Sequence, residues 1–157
     1  MKSFTFTLER TRRYKEQVLN KEKGILQRLL QRKNEIEEQI RQLEIYRELK
    51  ALEFQQEQQK GLEPAKLDAY RFYLENVRLQ LKQLKIDLKR AEEEAERQRQ
   101  VVLLASQELS GLDKLEEKQW EEYRYVYAKD NELQLSDHLA VQLSYPNGDR
   151  LITKGAV

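Results

Sequence analysis

The residues that could do chemistry are few. The only histidine is His138, and there is no cysteine. His138 has no second His or Cys to share a transition-metal ion, so it reads as a solvated side chain rather than a ligand. Glu92, Glu93, Glu94 and Glu96 form the densest acidic cluster. Paired carboxylates can move protons only in a concave, partly desolvated pocket, and their setting is a charged helical run, which makes them a solvated face. None of the five glycines opens a phosphate-cradling GxxxxGK[ST] or GxGxxG pattern. The expectation is a chain that is not an enzyme, with no cofactor, no metal and no catalytic residue.

What remains is charge and aromatic rings, which recognise partners. Residues 1–34 carry ten Lys or Arg against three Glu, whereas residues 113–137 carry eight acids against four bases. A net charge of +1 hides this asymmetry. The basic stretch could follow a phosphate backbone, with an affinity that falls steeply with salt. Its bases encircle the helix, however, and only Tyr14 is interleaved with them. An acidic protein partner, or the chain's own acidic stretch, accounts for the charge without nucleic acid. Complementary charge of this kind sets association rate and orientation more than affinity.

The element that must position these groups is a seam. Alternating steps of three and four from Leu67 to Leu133 land on apolar residues at sixteen of twenty positions, uninterrupted by proline. A repeat of 3.5 residues over this length marks a coiled coil. With 36% charged residues and a mean hydropathy of −0.91, the chain has too little apolar material for a thick core. Long helices with few loops fit that composition.

A first arm, residues 8–57, can cover the seam with Val18, Ile25, Leu29, Ile36, Leu43 and Tyr46, widened by Leu19, Leu26 and Ile40. The same frame places Glu22, Arg32 and Gln39 at core positions. Thr7 is a candidate cap for this arm. Residues 58–65 hold Gly61 and Pro64, suited to the end of one helix and the first turn of the next. They predict a hairpin tip, with residues 66–135 as the longer second arm running antiparallel to the first. Opposed core residues then have numbers summing to 120 or 127. The sum of 120 is preferred, because it brings Glu22 and Gln98 into one polar layer and sets large side chains against Ala91 and Ala95.

Residues 1–7 read as an extended lead whose Phe4 and Phe6 dock against something. Phe4 is expected level with Glu116, so the second arm beyond Leu115, with Trp120, Tyr123, Tyr125 and Tyr127, should project past the first. Residues 136–157 are expected to be a flexible tail, with Asn147-Gly148 as a candidate hairpin turn between apolar runs. At the tip, Tyr46, Tyr70, Phe72 and Tyr73 cannot all enter one narrow seam. They pack within the coil in one reading and leave a partner-binding patch in the other. The absence of a long apolar run or a secretory-signal block predicts a soluble, cytoplasmic protein.

The opening Phe4-Thr-Phe6-Thr-Leu8-Glu9, the following Tyr14-Lys15, the run Glu37 to Leu43 with Tyr46, the tip followed by Tyr70, and Lys114 to Lys118 with Trp120 and Tyr123 together resemble the FliJ family of bacterial flagellar type III protein export. The resemblance covers about residues 1–135. It implies an all-α, two-helix antiparallel coiled coil, a helical hairpin similar to the γ stalk subunit of rotary ATP synthases. It further implies a non-catalytic export component that inserts its open end into the flagellar export ATPase ring, contacts the cytoplasmic domain of the export gate, and escorts export chaperones. The family's gate-contacting face carries over to Gln39, Leu43, Tyr46, Tyr73 and Val77. Arg10, Arg12, Arg13, Trp120, Tyr123 and Tyr127 are the candidate ATPase-ring residues, from the basic arm and the overhang. Two positions depart from the family pattern: Lys50, where a tyrosine is usual, and Thr11-Arg12, where apolar residues are usual. Such a protein would be a cytoplasmic monomer, peripheral at the inner membrane through its partners, without nucleic acid and without membrane insertion. The alternative from sequence is a generic coiled-coil tether, or a homodimer in which a second chain covers the seam.

Overall fold

The structure is a computed structural model and describes residues 2–61 and 63–144. It contains two helices, α1 (Glu9–Gln59) and α2 (Pro64–Ser144), and no strand among the described residues. They pack against each other as an all-α helical hairpin. The chain divides into two compact units, Arg13–Leu109 and the described residues of Met1–Arg12 with Ser110–Val157.

The turn is built as its residue types dictate. Lys60 N donates to Glu57 O at 3.1 Å and Gly61 N to Gln58 O at 3.3 Å, closing the last turn of α1. Gly61 has φ of 88°, a left-handed conformation that a Cβ would strain. Pro64 is the first residue of α2, where its missing N–H has no helical partner to lose. Glu63 O accepts from Lys66 N and Leu67 N and starts the helical ladder. At the other terminus Leu8 O accepts from Arg12 N at 2.8 Å, which makes Leu8 the N-cap. Thr7, the expected cap, stands one residue too early.

The seam in α2 lies where the periodicity put it. Every position from Leu67 to Tyr123 in the three-four series is buried or half-buried, and Val126, Asp130 and Leu133 are exposed. Val77, Leu81, Ala91, Ala95 and Ala105 are its buried members. Three of those five are alanine, so the helices approach closely there, and small side chains keep native density without voids.

The stripe in α1 follows the expected frame in part. Val18, Glu22, Ile25, Leu29, Ile36 and Leu43 are half-buried as expected, Leu19 is buried, and Leu26, Lys33, Ile40, Lys50 and Phe54 are half-buried beside them. Arg32 and Gln39, expected at core positions, are exposed. A shift of one residue at alternate steps exchanges them for Lys33 and Ile40. The Lys33 stem can lie along the seam while its ammonium pairs with Glu37 at 3.7 Å. The same shift moves Tyr46 out of the seam to 48% exposure.

Register within Arg13–Leu109 follows the sum of 120. Gln98 Nε2 donates to Glu22 O at 3.0 Å and to the Glu22 carboxylate. Lys15 Nζ meets Glu108 at 2.7 Å, which raises the Lys15 pKa, chiefly through that hydrogen bond. A sum of 127 would have set Glu22 level with Ala105, about 10 Å further along α2.

Two boundaries moved. Phe4 meets Trp120 and Tyr123 rather than lying level with Glu116. A non-helical lead advances about 3.3 Å per residue against about 1.5 Å in a helix, so each of its residues covers about two of α2. Coverage of α2 therefore reaches Tyr123 and does not stop at Leu115. Residues 136–144, expected to be flexible, continue α2, since no Gly or Pro lies between Gly111 and Pro146 to stop it. The first apolar run of the candidate hairpin, Leu139 to Leu143, is helical, and its Asn147-Gly148 turn lies outside the described residues.

Candidate functional site

Side chains with the means to recognise a partner gather in two places, one in each unit. In Arg13–Leu109 the two helices bring aromatic rings together beside the turn. Phe54 stacks on Tyr70 with centroids 4.2 Å apart and planes at 23°. Tyr46 meets Tyr73 edge-on at 5.7 Å and 77°, and Tyr70 lies 6.4 Å from Tyr73. Burial is the first cause that pushes the Tyr70 and Tyr73 phenols above their ordinary pKa. Lys50 Nζ sits 5.7 Å over the Tyr46 ring and 3.1 Å from Glu53, and that carboxylate raises the lysine pKa. Tyr46, Lys50, Glu53, Glu57, Tyr70 and Tyr73 line an open cleft of about 350 Å³.

The five residues assigned to a gate face by resemblance are divided by this geometry. Gln39 is exposed, Leu43 and Tyr73 are half-buried, and Tyr46 is half exposed. Val77 is 3% exposed and supports this face from within the seam. Phe72, flanking the seam in sequence, turns fully outward at 72% exposure. Phe54 was not singled out in the sequence, although it lies on the α1 stripe four residues after Lys50 and could have been found by extending that series.

In the other unit the lead closes on a ladder of rings. Trp120, Tyr123 and Tyr127 follow at helical spacing, with Trp120 to Tyr123 5.7 Å and Tyr123 to Tyr127 6.1 Å, both stacked. Phe4 packs edge-on against Trp120 at 5.1 Å and tilted against Tyr123 at 5.5 Å. Tyr123 OH donates to Lys2 O at 2.9 Å. Phe6, two residues on, is buried. Lys2, Ser3, Trp120, Tyr123, Arg124 and Tyr127 border a cleft of about 720 Å³.

The three arginines assigned to the ring surface have different settings. Arg10 is exposed. Arg12 is held by Glu9 at 3.2 Å, Asp113 at 3.4 Å and Glu116 at 3.6 Å, which raise its already high pKa, Glu9 foremost. Its charge is spent on the chain's own acidic stretch. Arg13 is exposed and belongs to the other unit.

Among the described residues no group of His, Cys, Asp or Glu is placed to hold a metal ion. No described helix is long and apolar enough to cross a membrane. His138 is exposed, its Nε2 3.3 Å from Gln142 Nε2. Glu92, Glu93, Glu94 and Glu96 are exposed.

The family model for the flagellar FliJ protein matches residues 4–148. The chain belongs to the FliJ family. That places it among flagellar export proteins, and the helical hairpin agrees with the fold the resemblance implied. No curated protein and no solved structure matches the chain.

Proposed function

We propose that this FliJ-family protein is a non-catalytic stalk of the flagellar export apparatus. It binds the export ATPase ring through Trp120, Tyr123 and Tyr127 with Arg10 and Arg13, contacts the export gate's cytoplasmic domain through the tip face, and escorts export chaperones. It works as a monomer, at the cytoplasmic face of the inner membrane through its partners, and flagellar assembly and motility depend on it.

The observation that carries this reading is the ladder of Trp120, Tyr123 and Tyr127, with Trp120 43% and Tyr127 39% exposed. Rigid, half-exposed aromatic rings on a helix are the residue types that dominate binding at protein interfaces. Family membership supplies the context of export.

Purified ATPase and gate domain test the two surfaces separately. Trp120→Ala with Tyr127→Ala should weaken ATPase binding by about 30-fold or more, the effect of losing hot-spot rings, and leave gate binding intact. Gln39→Ala with Tyr46→Ala, both at outward positions, should do the reverse. Arg10→Ala with Arg13→Ala should slow association with the ATPase and reduce its salt dependence. Normal affinities for both partners in all three variants would end this assignment.

A further inference from the structure

Helix α2 carries a second seam on the face turned away from α1. With Leu67, Leu74, Leu81 and Leu88 as one core position of successive heptads and Tyr70, Val77 and Leu84 as the other, the most outward position falls on Phe72, Leu79 and Ile86. These side chains are 72%, 49% and 41% exposed. The outward position of a two-helix coil faces water and is ordinarily polar, so three apolar residues there in succession need an explanation. Steps of four and three from Phe72 give Asn76, Leu79, Gln83 and Ile86, a 3.5-residue series that alternates apolar and amide side chains. None of its members belongs to the Tyr46 and Tyr73 pair or to the Trp120 ladder.

The borders of this series differ. On one side stand Arg71, Arg78, Lys82, Lys85 and Lys89, with Glu75 as the acid among them. Glu75 is tied to Arg78 at 2.6 Å, and Lys85 leans toward Glu44 at 3.9 Å. Lys82 and Lys89 are exposed. The other side has Tyr73, Gln80 and a single acid, Asp87, which accepts from Gln83 Nε2 at 3.1 Å. The exposed apolar residues on the back of α1, Ile45, Leu49 and Leu52, are bordered instead by charges of both signs, Arg41 and Glu48.

We infer that this face of α2 docks a third helix, an acidic amphipathic helix from a partner protein. The period selects a helix, since a strand would present side chains every two residues. The basic border selects carboxylates and disfavours a second copy of this chain, whose own basic border would face it. The amides fix the register of the incoming helix, as a buried Asn does in coiled coils. The series spans about 20 Å, two heptads, so the interface is small and the association transient.

The probe is a labelled synthetic peptide of roughly three heptads, with Leu and Ile at seam positions, one Asn, and Glu at the bordering positions. A twin carries Lys in place of each Glu. Fluorescence anisotropy with the full chain should give a dissociation constant of about micromolar order for the acidic peptide and at least about tenfold weaker binding for the twin. Phe72→Ser with Leu79→Ser should weaken the acidic peptide by more than about tenfold with unchanged helicity. Lys82→Glu, Lys85→Glu and Lys89→Glu together should invert the preference between the peptides, an outcome that does not depend on removing apolar surface. Equal binding of the two peptides, or full affinity in the double Ser variant, overturns the proposal. So does the same loss from Ile45→Ser with Leu52→Ser on α1, or a concentration-dependent dimer of the native chain that the double Ser variant abolishes.

Discussion

Trp120 is the only tryptophan in the chain, and Phe4 lies against it, so the docking of the lead can be read by fluorescence. Phe4→Ala removes two aromatic pairs, with Trp120 and with Tyr123. Each is worth about 0.5–1.5 kcal/mol beyond simple area burial, which makes the loss about 1–3 kcal/mol in docking free energy. The equilibrium between docked and released lead should then move by about 5-fold to 150-fold toward release. Tyr123→Phe deletes only the hydrogen bond to Lys2 O and should cost about 1 kcal/mol. Acrylamide quenching of Trp120 should rise strongly in Phe4→Ala and slightly in Tyr123→Phe. Far-UV circular dichroism should stay constant, because the lead lies outside both helices. Native quenching in Phe4→Ala would refute the docking; a fall in helicity would show that the lead holds the helix together.

Glycines offer a contrast of sign. Gly61→Ala should destabilise by about 1 kcal/mol because of its positive φ, whereas Gly24→Ala and Gly111→Ala should stabilise by about 0.5–1 kcal/mol each, since the added methyl meets open space; urea midpoints decide. Within the seam, Leu81→Ala should cost about 2–5 kcal/mol through the cavity left behind, and Ala95→Leu about 1–3 kcal/mol through overpacking, both read by thermal melts of helicity. Burial raises the Tyr70 and Tyr73 pKa values above the ordinary 10.0, so the unfolded chain loses these protons first as pH rises. Stability is complete below pH 10 and should fall above it. The fall should be smaller in Tyr70→Phe with Tyr73→Phe, and an identical alkaline profile for that variant would contradict the burial of these phenols.

The second arm was legible because its apolar residues keep a 3.5 repeat without interruption, and burial follows that series as far as Tyr123. The turn was legible because Gly61 and Pro64 have conformational demands met at helix ends. Arm one was harder. Val18 and Leu19, or Ile25 and Leu26, are adjacent apolar pairs, and either member can lead the stripe. Only the partner helix decides, by the direction in which Glu22 must turn to reach Gln98. The ladder at Trp120 was visible as helical spacing of aromatic residues, but its contact with Phe4 was not, since a rise-per-residue argument fails once the lead leaves the helix. Arg12 illustrates a similar limit. Its formal charge counted toward a basic arm, while its position beside Asp113 and Glu116 shows that charge already matched within the fold.

The end of coverage at Tyr123 has a consequence for α2. From Arg124 to Ser144 the side chains are exposed except Asn131, which is half-buried, and the seam residues Val126 and Leu133 meet water. Leu135, Leu139 and Leu143 add a ridge at four-residue spacing, also exposed. A helix of this length is marginal alone in water, because nucleation is unfavourable and each residue adds little. Here nucleation is already met by the packed part of α2, and extension needs only propagation. The segment therefore sits near the balance between helix and coil, where a partner that covers Leu133, Leu139 and Leu143 gains both their burial and an ordered helix. Leu139→Gly, a poor helix former in place of a good one, should lower helicity over this segment without changing the melting of residues 13–109. Hydrogen exchange measured residue by residue should show protection lost after about Tyr127 and retained from Val77 to Ala105. Uniform protection along α2 in the variant would mean that the exposed extension is held by something other than propagation from the packed seam.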